Sequence, residues 1–111
     1  MIYLDHLTTT PPLPEVFDAM QPWLREGFGT PTSLHKLSLE TRDAIDEARQ
    51  RLAKLLNAAE PEEIIFTSSG TEAINHAVKG TALANRRFGS HIVTTGIEHP
   101  AVLGSIAWLE S

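Results

Sequence analysis

The sequence predicts an α/β fold built on a mainly parallel sheet, and the order of its patterns carries that expectation. Two short apolar runs, Ile64-Ile65-Phe66-Thr67 and His91-Ile92-Val93-Thr94-Thr95, are rich in strand formers. Each leads through a small-residue turn or loop into a stretch with helical spacing. Strand-helix-strand-helix order favours parallel strands covered by helices on both faces. Two strands make a thin sheet, so the fold reads as incomplete.

The elements follow in order. Residues 1–12 read as an extended arm, because threonines favour extended backbone and Pro11-Pro12 stop a helix. Leu13 to Leu24 predicts a helix, with Pro14 in its first turn and Val16, Met20, Trp23 and Leu24 on one face. Pro22 should kink or shorten its end. Gly27 to Ser33 is a loop, with two glycines and a proline. The strongest helical pattern runs through Leu37, Ala44, Ile45, Ala48, Leu52, Leu55 and Leu56 up to Asn57. Glu60-Pro61-Glu62-Glu63 breaks it before the first apolar run. After the Ser68-Ser69-Gly70 turn, Ile74, Ala77, Val78, Thr81 and Ala82 predict a helix from Thr71 to about Arg87, stopped at Gly89. Pro100 opens the last helix through Val102, Leu103, Ile106 and Leu109. The expected organisation is an arm over 1–12 and one partial domain over 13–111.

Composition narrows the function classes. The 111 residues are 41% hydrophobic and 21% charged, with net charge -5. That is an ordinary globular balance, and it offers no basic surface for nucleic acid or anionic membrane. No apolar stretch is long enough to span a bilayer, and the N-terminus does not read as a signal peptide. There are no cysteines, which excludes disulfides, thiolate metal sites and a cysteine nucleophile from these residues. The expected location is the cytoplasm.

Two places could carry chemistry. At Thr67-Ser68-Ser69-Gly70-Thr71-Glu72 a strand end enters a helix through small polar residues. Free amides and the positive end of the helix dipole there suit an anion. Gly70 would let a phosphate come close to the backbone, a bulky residue would block that approach and strain the turn, and Thr71 adds a hydroxyl. The plain alternative is an ordinary N-cap by Ser69 or Thr71, with Glu72 favourably placed on the dipole. The second place is Gly96-Ile97-Glu98-His99-Pro100. Ligands in open α/β sheets bind beyond strand carboxyl ends, so this loop and the Ser69-Gly70 turn should share one sheet edge. His99 could stack on a flat ligand or move protons, or simply cap the last helix. His6, His35, His76 and His91 lack metal-ligand spacing, so no metal is expected. Lys36, Lys54 and Lys79 all fall in predicted helices and read as surface residues.

Taken together, the pieces resemble the start of the cysteine desulfurase, or NifS-like, family of fold-type I pyridoxal-phosphate (PLP) enzymes. They are Tyr3-Leu4-Asp5 with Thr9-Thr10-Pro11, Phe28-Gly29-x-Pro31 with His35, Ile65-Phe66-Thr67-Ser68 with Gly70-Thr71-Glu72, Lys79-Gly80, and Glu98-His99-x-Ala101-Val102-Leu103. The resemblance implies the N-terminal part of a PLP-binding large domain whose first two strands are separated by later ones. It implies that Gly70 and Thr71 hold the PLP phosphate. It implies that His99 stacks on the pyridine ring and takes part in catalysis by proton transfer.

The implied reaction removes sulfur from L-cysteine, giving alanine and a persulfide. The cofactor-bearing lysine, the persulfide-forming cysteine, the aspartate facing the pyridine nitrogen and the substrate-carboxylate arginine lie downstream in the family. A companion chain carrying them, and a homodimer of the assembled unit, are therefore expected. His6-Leu7-Thr8, Thr30, Ser69, Ile74 and His76 depart from the family pattern, and the His6-Leu7-Thr8 stretch, in the arm, bears on substrate identity. A fold-type I relative with other chemistry, such as a selenocysteine lyase, C–S lyase or aminotransferase-like enzyme, and a non-catalytic remnant stay open as alternatives.

Overall fold

The structure, a computed structural model, describes residues 2–111. It holds four α-helices: α1 (Pro14–Arg25), α2 (Lys36–Leu56), α3 (Gly70–Ala84) and α4 (Pro100–Glu110). The chain divides into two compact units, one running through Ile64 and the other covering Ile65–Ser111.

In the first unit the arm is not simply extended. Asp5 gathers it into a turn: its carbonyl accepts from the Thr8 and Thr9 amides at 3.1 and 3.4 Å, and its carboxylate accepts from the Thr8 hydroxyl at 2.8 Å. The Tyr3 hydroxyl also donates to that carbonyl at 3.0 Å, and its ring meets His6 edge-on. Short polar side chains bonding to nearby backbone compete with extended structure in this way. Helix α1 then starts at Pro14, where a missing N–H costs nothing. It passes Pro22 and ends three residues later at Arg25, the Glu26 amide closing on the Pro22 carbonyl at 2.9 Å. Its apolar stripe of Val16, Ala19, Met20, Trp23 and Leu24 lines an open groove.

Pro31 occupies the second position of a turn closed by Ser33 N–H to Thr30 O at 3.3 Å. Gly29 is required by close approach: a Cβ there would lie 2.7 Å from the Leu37 carbonyl oxygen. His35 caps α2 by accepting the Ser38 amide on Nδ1 at 3.4 Å, and Ser38 is fully buried beneath it. The helix ends where the spacing places it. Asn57 takes the left-handed conformation at φ 55°, which asparagine tolerates better than most residues. The Pro61–Glu63 segment forms one 3₁₀ turn that packs back on α2. There Arg49 Nη1 donates to the Ile64 carbonyl at 2.5 Å.

In the second unit α3 packs against α4. Ile74, Val78 and Ala82 on α3, and Val102, Ser105, Ile106 and Leu109 on α4, are buried or half-buried. Lys79 lies with its Nζ 4.6 Å from the centre of the Trp108 ring, so this lysine is engaged in a cation–π contact and not simply solvated. Helix α3 stops at Ala84, short of the expected Arg87. The Asn85 side chain and backbone amide both take the Thr81 carbonyl, at 2.9 and 3.1 Å, and this ends the ladder before Gly89 is reached.

The expected parallel sheet is not formed among the described residues. Residues 64–67 and 91–95 carry no strand hydrogen bonds, although Ile64 is extended at φ -89°, ψ 113°. A strand exists only by pairing, and these two segments do not pair with each other. Ile65, Phe66, Ile92 and Val93 remain 42–85% exposed, and Ala53 is the sole buried hydrophobic residue among those described. The helices are in place, whereas the layer that should cover their apolar faces is not.

Candidate functional site

The start of α3 combines a cap with an opening. An α-helix begins with four amides that have no partner inside it. Here the Glu72 amide donates to Ser69 Oγ at 3.2 Å and the Ala73 amide to the Ser69 carbonyl at 3.0 Å. The amides of Gly70 and Thr71, and the Thr71 hydroxyl, make no hydrogen bond. Ser69 is thus a true N-cap, as the plain alternative held, but its side chain satisfies only one of the open donors. Two amides and one hydroxyl remain at the positive end of a 15-residue helix.

Gly70 has open space in front of it: a Cβ there would meet nothing within 4 Å. No glycine among the described residues has a positive φ. The expectation that a bulky residue would strain this turn is therefore corrected. Such a residue would fill the space before the amides and leave the backbone at ease.

The turn is held by its neighbours. Glu72 Oε2 accepts from both the amide and the hydroxyl of Ser68, at 2.7 and 2.6 Å. The Thr67 hydroxyl donates to the Ser69 carbonyl at 3.1 Å. The hydrogen bonds from the Ser68 side chain and then its backbone hold the Glu72 carboxyl below its ordinary range, with a smaller contribution from the charge of His76. The sequence pattern alone places Glu72 on the helix dipole. The Ser69-x-x-Glu72 spacing of a capping box was the signal that could have exposed this second role.

His99 sits at the start of α4 as its N-cap, Nδ1 accepting the Ala101 amide at 3.1 Å. With Nδ1 accepting, the ring's N–H is on Nε2, and the residue is exposed. Pro100 has no N–H, and the Val102 and Leu103 amides both close on the His99 carbonyl, at 2.8 and 3.3 Å. Thr95 donates to Glu98 at 2.8 Å within the preceding loop. The common sheet edge expected for His99 and the Ser69–Thr71 turn is not formed. The two lie in one compact unit, at the starts of two helices that pack together. Among the described residues, no group of three or more His, Asp or Glu is arranged to hold a metal, and no helix is long and apolar enough to cross a membrane.

The donor set at α3 suits a phosphate: two amides, a hydroxyl, a helix dipole and clear space. The chain is 50% identical over 109 residues to the cysteine desulfurase IscS of Dictyoglomus turgidum, covering 98% of this chain and 27% of that protein. It is 50% identical to a putative cysteine desulfurase, IscS 1, of Bacillus subtilis, over 98% of this chain and 28% of the relative. A solved structure described as a NifS-like protein superposes with a TM-score of 0.81 at 37% identity, over 93% of this chain and 28% of the other. The chain thus spans little more than a quarter of the proteins it matches, at their N-terminal end. Residues 2–111 match the aminotransferase class-V family throughout, and the chain belongs to that family.

Proposed function

We propose that residues 1–111 form the N-terminal part of a PLP-dependent cysteine desulfurase, with 1–12 as an arm and 13–111 as part of the cofactor-binding large domain. The observation that carries this reading is the pair of free amides beside the Thr71 hydroxyl at the start of α3. In this reading Gly70 and Thr71 hold the PLP phosphate, and His99 lies against the pyridine ring. The segments at 64–67 and 91–95 become strands when the rest of the sheet supplies their neighbours, and the exposed apolar side chains are covered at the same time.

When bound, PLP supplies an electron sink for bond breaking at the amino-acid substrate. The work of this chain is to hold and orient. The α3 start fixes the phosphate, and His99 offers a hydrogen bond from Nε2. His99 can take up a proton on Nδ1 only by releasing the Ala101 amide, so proton transfer by this ring is coupled to opening of the α4 cap. The lysine that carries the cofactor and the cysteine that receives sulfur come from the remainder of the fold. The assembled enzyme is proposed to be a cytoplasmic homodimer converting L-cysteine to alanine and a persulfide. The test is to assemble these residues with the remainder and measure bound PLP and alanine formed from L-cysteine. Stoichiometric PLP with alanine production is the expected result. Folded material that takes up no PLP would sink the proposal, and PLP uptake without alanine production would move it to another substrate.

A further inference from the structure

A carboxylate at a helix start ordinarily sits over the open amides, where the dipole favours it. Glu72 does not. Its carboxylate turns back past Ser69 and spends one oxygen, Oε2, on the amide and hydroxyl of Ser68, at 2.7 and 2.6 Å. In return Ser69 Oγ takes the Glu72 amide at 3.2 Å. These two interactions cross over the same turn, and the Thr67 hydroxyl pins it a third time through the Ser69 carbonyl. Together they fix the backbone from Thr67 to Glu72 while the Gly70 and Thr71 donors stay open.

We propose that Glu72 is a positioning residue for the phosphate-holding turn: its carboxylate, clamped on Ser68, presents the Gly70 and Thr71 donors to a phosphate that it does not itself touch. The inference rests on the reading that Gly70 and Thr71 bind the phosphate of PLP. The position of the side chain helps the ligand, while its negative charge, at the same helix end as a phosphate dianion, opposes it. Glutamine keeps an oxygen that accepts from Ser68 and removes the charge. Alanine removes both.

The experiment uses the protein assembled with the rest of its fold. Equilibrium dialysis measures the affinity for PLP and, separately, for pyridoxal, which has no phosphate. Glu72→Ala is expected to weaken PLP binding on the order of five- to tenfold, the scale of one lost helix cap, with pyridoxal affinity unchanged. Glu72→Gln is expected to bind PLP at least as tightly as the unaltered protein. Equal loss of PLP and pyridoxal affinity in Glu72→Ala would overturn the proposal, because the residue would then be serving the fold in general. So would a loss in Glu72→Gln as large as in Glu72→Ala, because charge would then be the active property. Thr71→Ala separates this inference from the reading beneath it. If Thr71→Ala weakens PLP and Glu72→Ala does not, only the role of Glu72 fails. If neither weakens PLP, the phosphate lies elsewhere and both fail.

Discussion

Helices α3 and α4 pack against each other and begin in opposite ways. At α3 the cap leaves two amides and a hydroxyl open. At α4 nothing is left over: Pro100 has no N–H, the His99 ring takes the Ala101 amide, and the His99 carbonyl takes the next two. Both starts follow apolar segments and both contain residues singled out from sequence. Only α3 can grip an anion through its backbone. At α4 the residue singled out from sequence is the cap itself, a ring with Nδ1 engaged by the Ala101 amide. In the function proposed above, one helix start is a binding surface and the other a mount for a side chain. That difference argues for phosphate at Gly70–Thr71 and ring contact at His99, and against the reverse.

The comparison can be broken most forcefully at His99. In the assembled, active protein, His99→Phe keeps a flat ring for stacking but loses the nitrogen, and turnover should fall on the order of 10²–10⁴ with PLP retained. Single-turnover kinetics with the visible absorption of bound PLP checks both quantities. If His99→Ala leaves cofactor content and turnover alike untouched, His99 is no more than a loop residue. The next largest effect is expected at the other helix. Gly70→Val should leave the fold intact, because the space is clear and the backbone unstrained. It should still weaken PLP on the order of 100-fold by keeping phosphate away from two amides, each worth about 1.5–3 kcal/mol to a charged partner. Wild-type PLP affinity in a folded Gly70→Val protein would erase the distinction between the two helix starts.

A smaller effect sharpens the account of α4. Removing the cap with His99→Ala should cost about 0.5–2 kcal/mol of local stability, and His99→Asn should restore it, since asparagine is a good N-cap. Amide exchange at Ala101 in the assembled protein reads this directly. Equal protection in all three proteins would show that the ring does not cap the helix.

The smallest effect lies in the pH dependence of α3. The Glu72 carboxyl is held below its ordinary value of 4.5 by Ser68. Its contribution is therefore complete above that value and is lost as pH falls through the lower, folded-state value. A carboxyl titration by NMR should place Glu72 below the ordinary glutamate value, and Ser68→Ala should return it toward that value. A Glu72 midpoint unaffected by Ser68→Ala would remove the latch from the account.

Much of this was legible in the residues alone, and the parts that were have one thing in common. The start of α1 at Pro14, the end of α2 at Asn57 and the start of α4 at Pro100 depend on interactions within one or two turns, so local spacing and cap chemistry locate them. The ordered succession of short motifs likewise pointed to the family and to Gly70, Thr71 and His99 as the residues to watch. Local chemistry by itself fits both a cap and a ligand site at each helix start, and the resemblance to the family is what favours the ligand site at Gly70, Thr71 and His99. Sequence could not say which individual amides find a partner. Nor could it say whether Ile64–Thr67 and His91–Thr95 would be strands. Helix hydrogen bonds close four residues away, and sheet hydrogen bonds need a distant neighbour. The tertiary structure alone decided that those two segments do not supply each other's partner, that Lys79 lies over Trp108 and that Glu72 folds back onto Ser68.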